Sequence, residues 1–208
     1  VAKLLELMSK YTSNKVILID PTGEYNSVSN DDNMDSIELG TGEYIFNYRN
    51  LTIDELYYLL HPSSKTQVPK LMEAIRSLKM SEIDNKNELK DYYQKKDANG
   101  EIVKNIFKAN KNKRLFQEFQ YNNITEIENN TCNFNFDLLA RQITNECVWD
   151  TDHSDNNSWG GRNENDVSNC VSLISRINNV MSTSEYNKIF GFRQIENIDS
   201  KDSKDLID

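Results

Sequence analysis

The segment Val16-Ile17-Leu18-Ile19-Asp20-Pro21-Thr22-Gly23-Glu24-Tyr25 decides the fold of this chain. Its first four residues are apolar and mostly β-branched, which is typical of a parallel strand that is covered on both faces. The polar residues that follow include a proline and a glycine where a turn favours them. We therefore predict a buried strand over 16–19 that ends in an acidic turn.

The sequence before this strand predicts a helix, because residues 1, 4, 5 and 8 are apolar at helical spacing. No capping Ser, Thr, Asp or Asn precedes Val1, so we interpret the chain as cut within a helix. Helix, loop and strand form half of a βαβ unit, and the missing first strand would lead into the glycine-rich phosphate loop of a nucleotide-binding protein. After the acidic turn, residues 36–39 and 44–47 predict two short strands or a hairpin.

From about residue 51 the pattern becomes helical. Thr52-Ile53-Asp54-Glu55 and Ser64-Lys65-Thr66-Gln67 both match the capping box that opens a helix. Two further amphipathic helices are predicted over 136–148 and 167–181, separated by a polar loop over 150–166. Their expected buried stripes are Leu139, Ile143 and Cys147 in the first helix, and Val171, Ile174, Ile177 and Met181 in the second.

The section 84–133 is rich in charge and only weakly periodic, and it contains a basic run from Lys108 to Arg114. Blocks of like charge usually form exposed faces, so we interpret this section as a solvated insertion of short helices. Contact of the basic run with DNA is the alternative. The tail 193–208 is rich in Asp, Ser and Lys, and we expect it to be frayed.

The composition limits the classes of partner. Of the 208 residues, 33 are acidic and 24 basic, and the resulting net charge of −9 opposes binding of most of the surface to a polyanion. No stretch is apolar enough to span a bilayer and no signal peptide is evident, so we expect a cytosolic protein without a membrane partner. Three cysteines at 132, 147 and 170 and two isolated histidines lack metal-ligand spacing, which disfavours a zinc site or disulfides.

Asp20 and Glu24 are the candidate catalytic residues. Ligands of open α/β sheets bind beyond the carboxyl ends of the strands, so both carboxylates would project into such a crevice. A carboxylate there can orient or deprotonate the water that attacks a phosphoryl group. The residues alone leave a second interpretation open, in which Asp20 only starts the turn and Glu24 is only solvated.

The strand ending in Asp-Pro-x-Gly-Glu-Tyr, preceded by a helix rich in Leu and Lys, resembles the HerA-type P-loop ATPases of the HerA/FtsK group. The resemblance is dense over 1–80 and 134–192 and nearly absent between them. Shorter stretches agree in the same order: Phe46-Asn47, Leu51-Thr52-Ile53-Asp54-Glu55-Leu56, Ser64 with Gln67, Phe136-Asp137-Leu138-Leu139, Leu173-Ile174-Ser175-Arg176-Ile177 and Ile189-Phe190-Gly191.

The resemblance implies an α/β fold with a mostly helical insertion, in which residues 1–50 form the edge of a RecA-like ATPase core and 51–192 a helical bundle. It also implies a hexameric motor that uses ATP and Mg to move duplex DNA, with a nuclease or other effector protein as a possible partner. Glu24 would be the catalytic carboxylate and Asp20 the lesser candidate. Arg176 has no counterpart that we can assign, and a helix-surface ion pair is the expected alternative for it.

The sequence departs from a complete motor in two respects. It contains no G-x-x-x-x-G-K-[ST] loop, and no apolar strand ending in paired acidic residues follows Phe190. We therefore expect the 208 residues to be an internal fragment that neither binds nor hydrolyses ATP by itself. The alternative function is a noncatalytic helical protein-interaction module in which the acidic turn is structural.

Overall fold

The computed structural model describes residues 3, 17–25, 37–40, 44–94, 103–192 and 204–205, and about half of these lie in helices. The α-helices are α1 (Ile53–Leu60), α2 (Gln67–Ile83), α3 (Arg114–Asn122), α4 (Ile124–Ile127), α5 (Leu139–Glu146), α6 (Glu164–Ser182) and α7 (Ser184–Phe190). Single 3-10 turns span Tyr48–Asn50 and Phe136–Leu138. The strands are β1 (Tyr44–Ile45), β2 (Tyr93–Gln94), β3 (Val103–Ile106) and β4 (Lys204–Asp205).

The buried strand predicted over 16–19 is not present in residues 17–19, which have no strand assignment. Ile17 is 88% exposed and Ile19 is 85% exposed. A parallel strand needs neighbouring strands for its backbone hydrogen bonds and helices for its two faces, and no described strand pairs with this segment. The helix predicted over 1–8 lies outside the described residues apart from residue 3. An α-rich fold is thus shown, and the edge of a RecA-like core is not.

The segments predicted as two strands or a hairpin make only minimal β structure. Leu39 forms an isolated bridge with Tyr44, and Tyr44–Ile45 pairs in parallel with Lys204–Asp205. This pairing partner comes from the tail that we expected to be frayed, most of which lies outside the described residues. The chain therefore returns close to residue 44 after the whole helical section.

One of the two predicted capping boxes is confirmed. In α1 the Glu55 backbone N–H donates to Thr52 Oγ1 at 3.2 Å, and the Thr52 N–H donates to the Glu55 carboxylate at 2.7 Å. The second box is wrong, because α2 begins at Gln67 and its N-cap residue makes no side-chain capping bond. The Gln67 side-chain oxygen does accept a hydrogen bond from a backbone N–H before the helix, but from Ser63 at 3.0 Å, and its amide nitrogen donates to Asn169 O and Ser172 Oγ of helix α6.

The main core forms where α1, α2, α5 and α6 pack together. The stripe Leu139, Ile143 and Cys147 is fully buried, as predicted. The stripe predicted for α6 is confirmed at Ile177 and Met181 and wrong at Val171, which is 53% exposed while its neighbour Cys170 is buried. The residues that α6 buries are Cys170, Leu173, Ile177, Val180 and Met181.

The section 84–133 contains a second core, so its interpretation as a solvated insertion is wrong for the described residues. The antiparallel pair β2–β3 and the helices α3 and α4 pack against the last turns of α2. The buried members of this second core are Met80, Leu89, Tyr92, Tyr93, Ile106, Phe116, Phe119 and Ile127.

The polar stretch between α5 and α6 is a loop, as predicted, and two β-bridges hold it in place. Val148 bridges to Arg162, and Asn112 bridges to Ser158 across to the second core. Gly160 allows the close approach inside this loop, because a Cβ atom there would lie 2.8 Å from Trp149 Cβ. The loop consequently joins the two cores.

Candidate functional site

Asp20 organises the acidic turn with both of its carboxylate oxygens. Asp20 Oδ1 accepts hydrogen bonds from Thr22 N at 3.1 Å, Thr22 Oγ1 at 2.9 Å and Gly23 N at 3.0 Å. Asp20 Oδ2 accepts from Tyr25 N at 2.8 Å. Gly23 has φ of +72°, a left-handed conformation that glycine adopts without steric cost. The sequence Asp-Pro-Thr-Gly thus folds into a turn whose amides converge on one carboxylate.

These hydrogen bonds define the protonation state of Asp20. The pKa of its carboxyl group is lowered, mainly because the Tyr25 N–H donates to it, with the Thr22 hydroxyl and the Thr22 and Gly23 amides contributing in the same direction. A carboxylate that is stabilised in its charged form by four donors is a weak proton acceptor. Asp20 is therefore suited to hold the turn and poorly suited to act as a general base.

Glu24 lies in the same turn and is exposed. Its carboxylate makes no hydrogen bond or ion pair with any residue that the structure describes. The two candidate catalytic residues therefore differ: turn residues donate hydrogen bonds to the carboxylate of Asp20, whereas the carboxylate of Glu24 is exposed. The ranking of Glu24 above Asp20 as a catalytic residue, which the resemblance implies, stays a prediction.

The groups present in the turn limit what it can hold. Residues 17–25 include no Lys or Arg, and only one of their two carboxylates, that of Glu24, lacks a hydrogen-bond partner among the described residues. Among the described residues there is no group of three or more His, Cys, Asp or Glu side chains that could hold a metal ion. Taken alone, these residues do not fit a nucleoside triphosphate with Mg, because neither its phosphates nor its cation would find enough partners.

Arg176 lies far from the acidic turn in sequence and joins α6 to the start of α2. Its Nη2 donates to Gln67 Oε1 at 2.9 Å, while its Nε is buried without a hydrogen-bond partner among the described residues. It forms no ion pair within the described part of the chain, so the surface ion pair expected for it is not found there. The same Gln67 oxygen also accepts from Ser63 N.

A buried polar network, which sequence reasoning missed, connects the two cores. Gln142 exchanges two hydrogen bonds with the backbone of Ile106, and its Nε2 also donates to Glu146 at 2.6 Å. Glu146 is fully buried, and its second oxygen lies 2.5 Å from the ammonium of Lys108. A signal was available, because Gln142 and Glu146 follow Leu139 at i+3 and i+7, on the face expected to be buried.

Three buried cysteines carry free thiols. Burial raises the pKa of the Cys132 thiol to about 12, so this group is protonated at neutral pH. Cys147, at the end of α5, and Cys170, in α6, are neighbours: the hydrogen bond between their thiols, together with burial, raises the pKa of Cys147, and the same hydrogen bond lowers the pKa of Cys170. All three cysteine side chains are part of the main core.

Comparisons with known proteins add no assignment. No family model, no curated protein and no solved structure matches the chain. Within the described ranges, no helix has both the length and the apolar character needed to cross a membrane. The interpretation of the site accordingly depends on its geometry and on the resemblance in the acidic turn.

Proposed function

We propose that these residues belong to an ATP-driven motor of the HerA type, which moves duplex DNA, and that Glu24 is the carboxylate acting on the attacking water. The observation that carries the proposal is the division of roles in the acidic turn. Asp20 accepts four hydrogen bonds from the turn, whereas the Glu24 carboxylate has no partner among the described residues. A water-positioning carboxylate needs such freedom, because it must bond to the nucleophile.

The exposure of the apolar run before the turn supports the same proposal. Ile17 and Ile19 are almost fully exposed, although β-branched residues in an unbroken apolar run normally lie inside a sheet. Leaving such a run in water forgoes roughly 1.5–3 kcal/mol for each large side chain. Further strands of a RecA-like sheet would cover this apolar run in the larger protein that we propose.

The ends of the helical section support its role as an insertion. The Phe46 N–H donates to Ile189 O at 2.6 Å, and β1 pairs with β4. The chain therefore enters and leaves the helical section at neighbouring points. An inserted domain needs this arrangement, since both of its ends must connect to one site in the host core.

The cofactors and partners in this proposal belong to the larger protein. ATP and Mg would be held by a phosphate-binding loop and acidic residues outside the 208 residues, because the turn itself does not fit them. A hexameric ring, duplex DNA in its channel and an attached nuclease or other effector are further parts of the proposal. Within this chain, the acidic turn would contribute the one carboxylate that contacts the reacting water.

Glu24→Gln in the motor that contains this chain tests the assignment. The substitution keeps the size of the side chain and removes its negative charge, so ATP hydrolysis should fall by about 10²- to 10⁴-fold while nucleotide affinity is retained. Steady-state ATPase assays and equilibrium nucleotide titration measure the two effects. Tyr25→Phe is the matched control in the same turn and should retain activity. Hydrolysis at the parental rate by Glu24→Gln would refute the catalytic role.

The second candidate function is a noncatalytic helical protein-interaction module. It is favoured by the two packed cores, which form within the described residues from helices, their connecting segments and one antiparallel strand pair. The coding sequence upstream of Val1 separates the two functions. A glycine-rich loop ending in Lys-Ser or Lys-Thr supports the motor, and its absence supports the interaction module.

A further inference from the structure

The fold brings together two cysteines that lie 23 positions apart in the sequence. Cys147 is the C-cap residue of α5, and Cys170 lies in the second turn of α6. Both are free thiols of the main core, and they are hydrogen-bonded to each other. The spacing along the chain disfavours a disulfide, but the fold places the two thiols in contact.

Contacts on either side of the two thiols hold their helices together. The Asn163 N–H, at the N-cap of α6, donates to Cys147 O at 2.8 Å. The Lys70 ammonium donates at 2.9 Å to the backbone oxygen of the residue just before Cys147. The same ammonium lies 3.9 Å from the carboxylate of Asp166, one turn before Cys170. The neighbours of both cysteines therefore share partners, which keeps the two sulfur atoms at the contact between α5 and α6.

The position of the thiols limits which oxidant can reach them. Both side chains are fully buried, so an oxidant reaches them only through a local opening of the fold. A hydroperoxide is the class that needs the smallest opening, because hydrogen peroxide is little larger than water. The hydrogen bond from Cys147 lowers the pKa of Cys170, and the thiolate is the nucleophilic form of cysteine. The sulfur of Cys170 is accordingly the one suited to attack a peroxide.

We propose that Cys147 and Cys170 form a reversible disulfide when a hydroperoxide reaches them, and that this bond holds the loop between α5 and α6 closed. The Cys170 sulfur attacks the O–O bond of hydrogen peroxide, becomes a sulfenic acid and releases water. The Cys147 sulfur then attacks the sulfenic sulfur and displaces a second water. In total, two thiols and one hydrogen peroxide give one disulfide and two waters. The disulfide is independent of the proposed motor function.

The disulfide would enclose the whole polar loop that joins the two cores. The loop also contacts the second core, through the bridge between Asn112 and Ser158. Closing a ring of about 24 residues reduces the conformational freedom of the unfolded chain. For a chain of this size, the melting temperature should therefore rise by about 6–14 °C on oxidation.

Mass spectrometry of the 208-residue chain tests the pairing. The folded chain is treated with hydrogen peroxide, the remaining thiols are blocked with N-ethylmaleimide in denaturant, and the peptides are mapped without reduction. We expect one cross-linked pair of peptides, which joins Cys147 to Cys170. Cys132 is the control thiol, since it is buried like the other two but its Sγ donates to Thr52 O, and it should carry the blocking group. Dithiothreitol should restore both of the cross-linked thiols.

Melting curves test the effect of the bond on the loop. Peroxide should raise the melting temperature of the parent and of Cys132→Ser to the same extent, and dithiothreitol should reverse the rise. Cys170→Ser cannot form the bond, so it reports the effect of methionine oxidation alone and should show no rise. The proposal is overturned if Cys147 and Cys170 remain free or end as separate oxidised acids, if either one is cross-linked to Cys132 in the folded chain, or if their disulfide forms without raising the melting temperature.

Discussion

Removing the charge of Lys108 tests whether its buried ion pair with Glu146 holds the second core to the main helices. Lys108 lies in the segment between β3 and α3. Its ammonium is 2.5 Å from the carboxylate of Glu146 on α5, and both side chains are buried. The same ammonium lies 4.5 Å from the ring centre of Phe116 and 5.3 Å from that of Trp159. Lys108→Met preserves most of the aliphatic stem and removes only the charged group. The carboxylate of Glu146 is then buried without its counter-ion.

The expected loss of stability follows from the burial of this pair. Deleting one partner of a buried ion pair typically costs about 3–5 kcal/mol, because the remaining charge stays desolvated. For a domain of this size, 1 kcal/mol corresponds to about 2–4 °C, so the melting temperature should fall by about 6–20 °C. Glu146→Gln should cost a similar amount. The double variant should lose less than the sum, since neither unpaired charge remains.

An exposed ion pair supplies the control. Arg162 Nε lies 2.9 Å from the carboxylate of Glu164, and both side chains are mainly exposed. Exposed pairs are worth about 0–1 kcal/mol, so Arg162→Met should lower the melting temperature by less than about 4 °C. The comparison therefore separates the effect of burial from the effect of removing any one cation.

Thermal unfolding followed by circular dichroism, together with urea titration, measures these differences. If Lys108→Met loses no more stability than Arg162→Met, the buried ion pair does not stabilise the contact between the two cores. A double variant as unstable as the sum of the single variants would refute the coupling between Lys108 and Glu146. If either result is obtained, apolar packing and the hydrogen bonds of Gln142 with Ile106 hold the second core to the main helices without a contribution from the ion pair.

Three further predictions concern ligands and pH. Calorimetric titration of the 208-residue chain with Mg-ATP should give no binding heat, and micromolar affinity would contradict the proposed location of the phosphate-binding loop outside it. In gel-shift assays at about 150 mM salt the chain should bind duplex DNA weakly or not at all, given its net charge of −9, and tight binding that is lost in Lys113→Ala with Arg114→Ala would contradict this. The Tyr93 hydroxyl donates to Asp84 at 2.7 Å. Burial and this carboxylate raise the pKa of Tyr93 above the usual value of about 10. The hydroxyl therefore stabilises the fold fully below pH 10, and this stabilisation is lost as the pH rises further. The free energy of unfolding measured between pH 9 and 11 should fall less steeply in Tyr93→Phe than in the parent, whereas the exposed-site variant Tyr58→Phe should follow the parent curve.

Local sequence patterns predicted those elements whose partners lie a few residues away. The Thr52–Glu55 capping box depends on hydrogen bonds across three residues, and the structure contains both of them. The stripe Leu139, Ile143 and Cys147 needs only the helical period and one apolar environment. In these two places, sequence spacing alone specified which groups would meet.

Nonlocal contacts explain the predictions that were wrong. Gln67 was expected to complete a capping box with Ser64, but its side-chain oxygen accepts from Ser63 N and its amide nitrogen bonds α6, about a hundred residues later in the chain. The second core combines residues from Met80 to Ile127 that are individually sparse among charged neighbours, so no short window shows its pattern. The shift of the α6 stripe from Val171 to Cys170 and Leu173 has the same origin, because neighbours on both sides of the helix decide which of several apolar faces is covered.

The two interpretations of the acidic turn required atomic positions, since Asp-Pro-x-Gly-Glu is equally suited to a turn and to a catalytic loop. The two carboxylates of the turn differ in their hydrogen bonds. The Asp20 carboxylate accepts four, and the Glu24 carboxylate accepts none from the described residues. Substitution of the two residues should therefore give different defects in the larger motor. Asp20→Asn removes the charge that the turn amides stabilise and should lower stability and activity together, whereas Glu24→Gln should lower hydrolysis alone. Equal stability losses in both variants would assign both carboxylates to the turn and favour the interaction module.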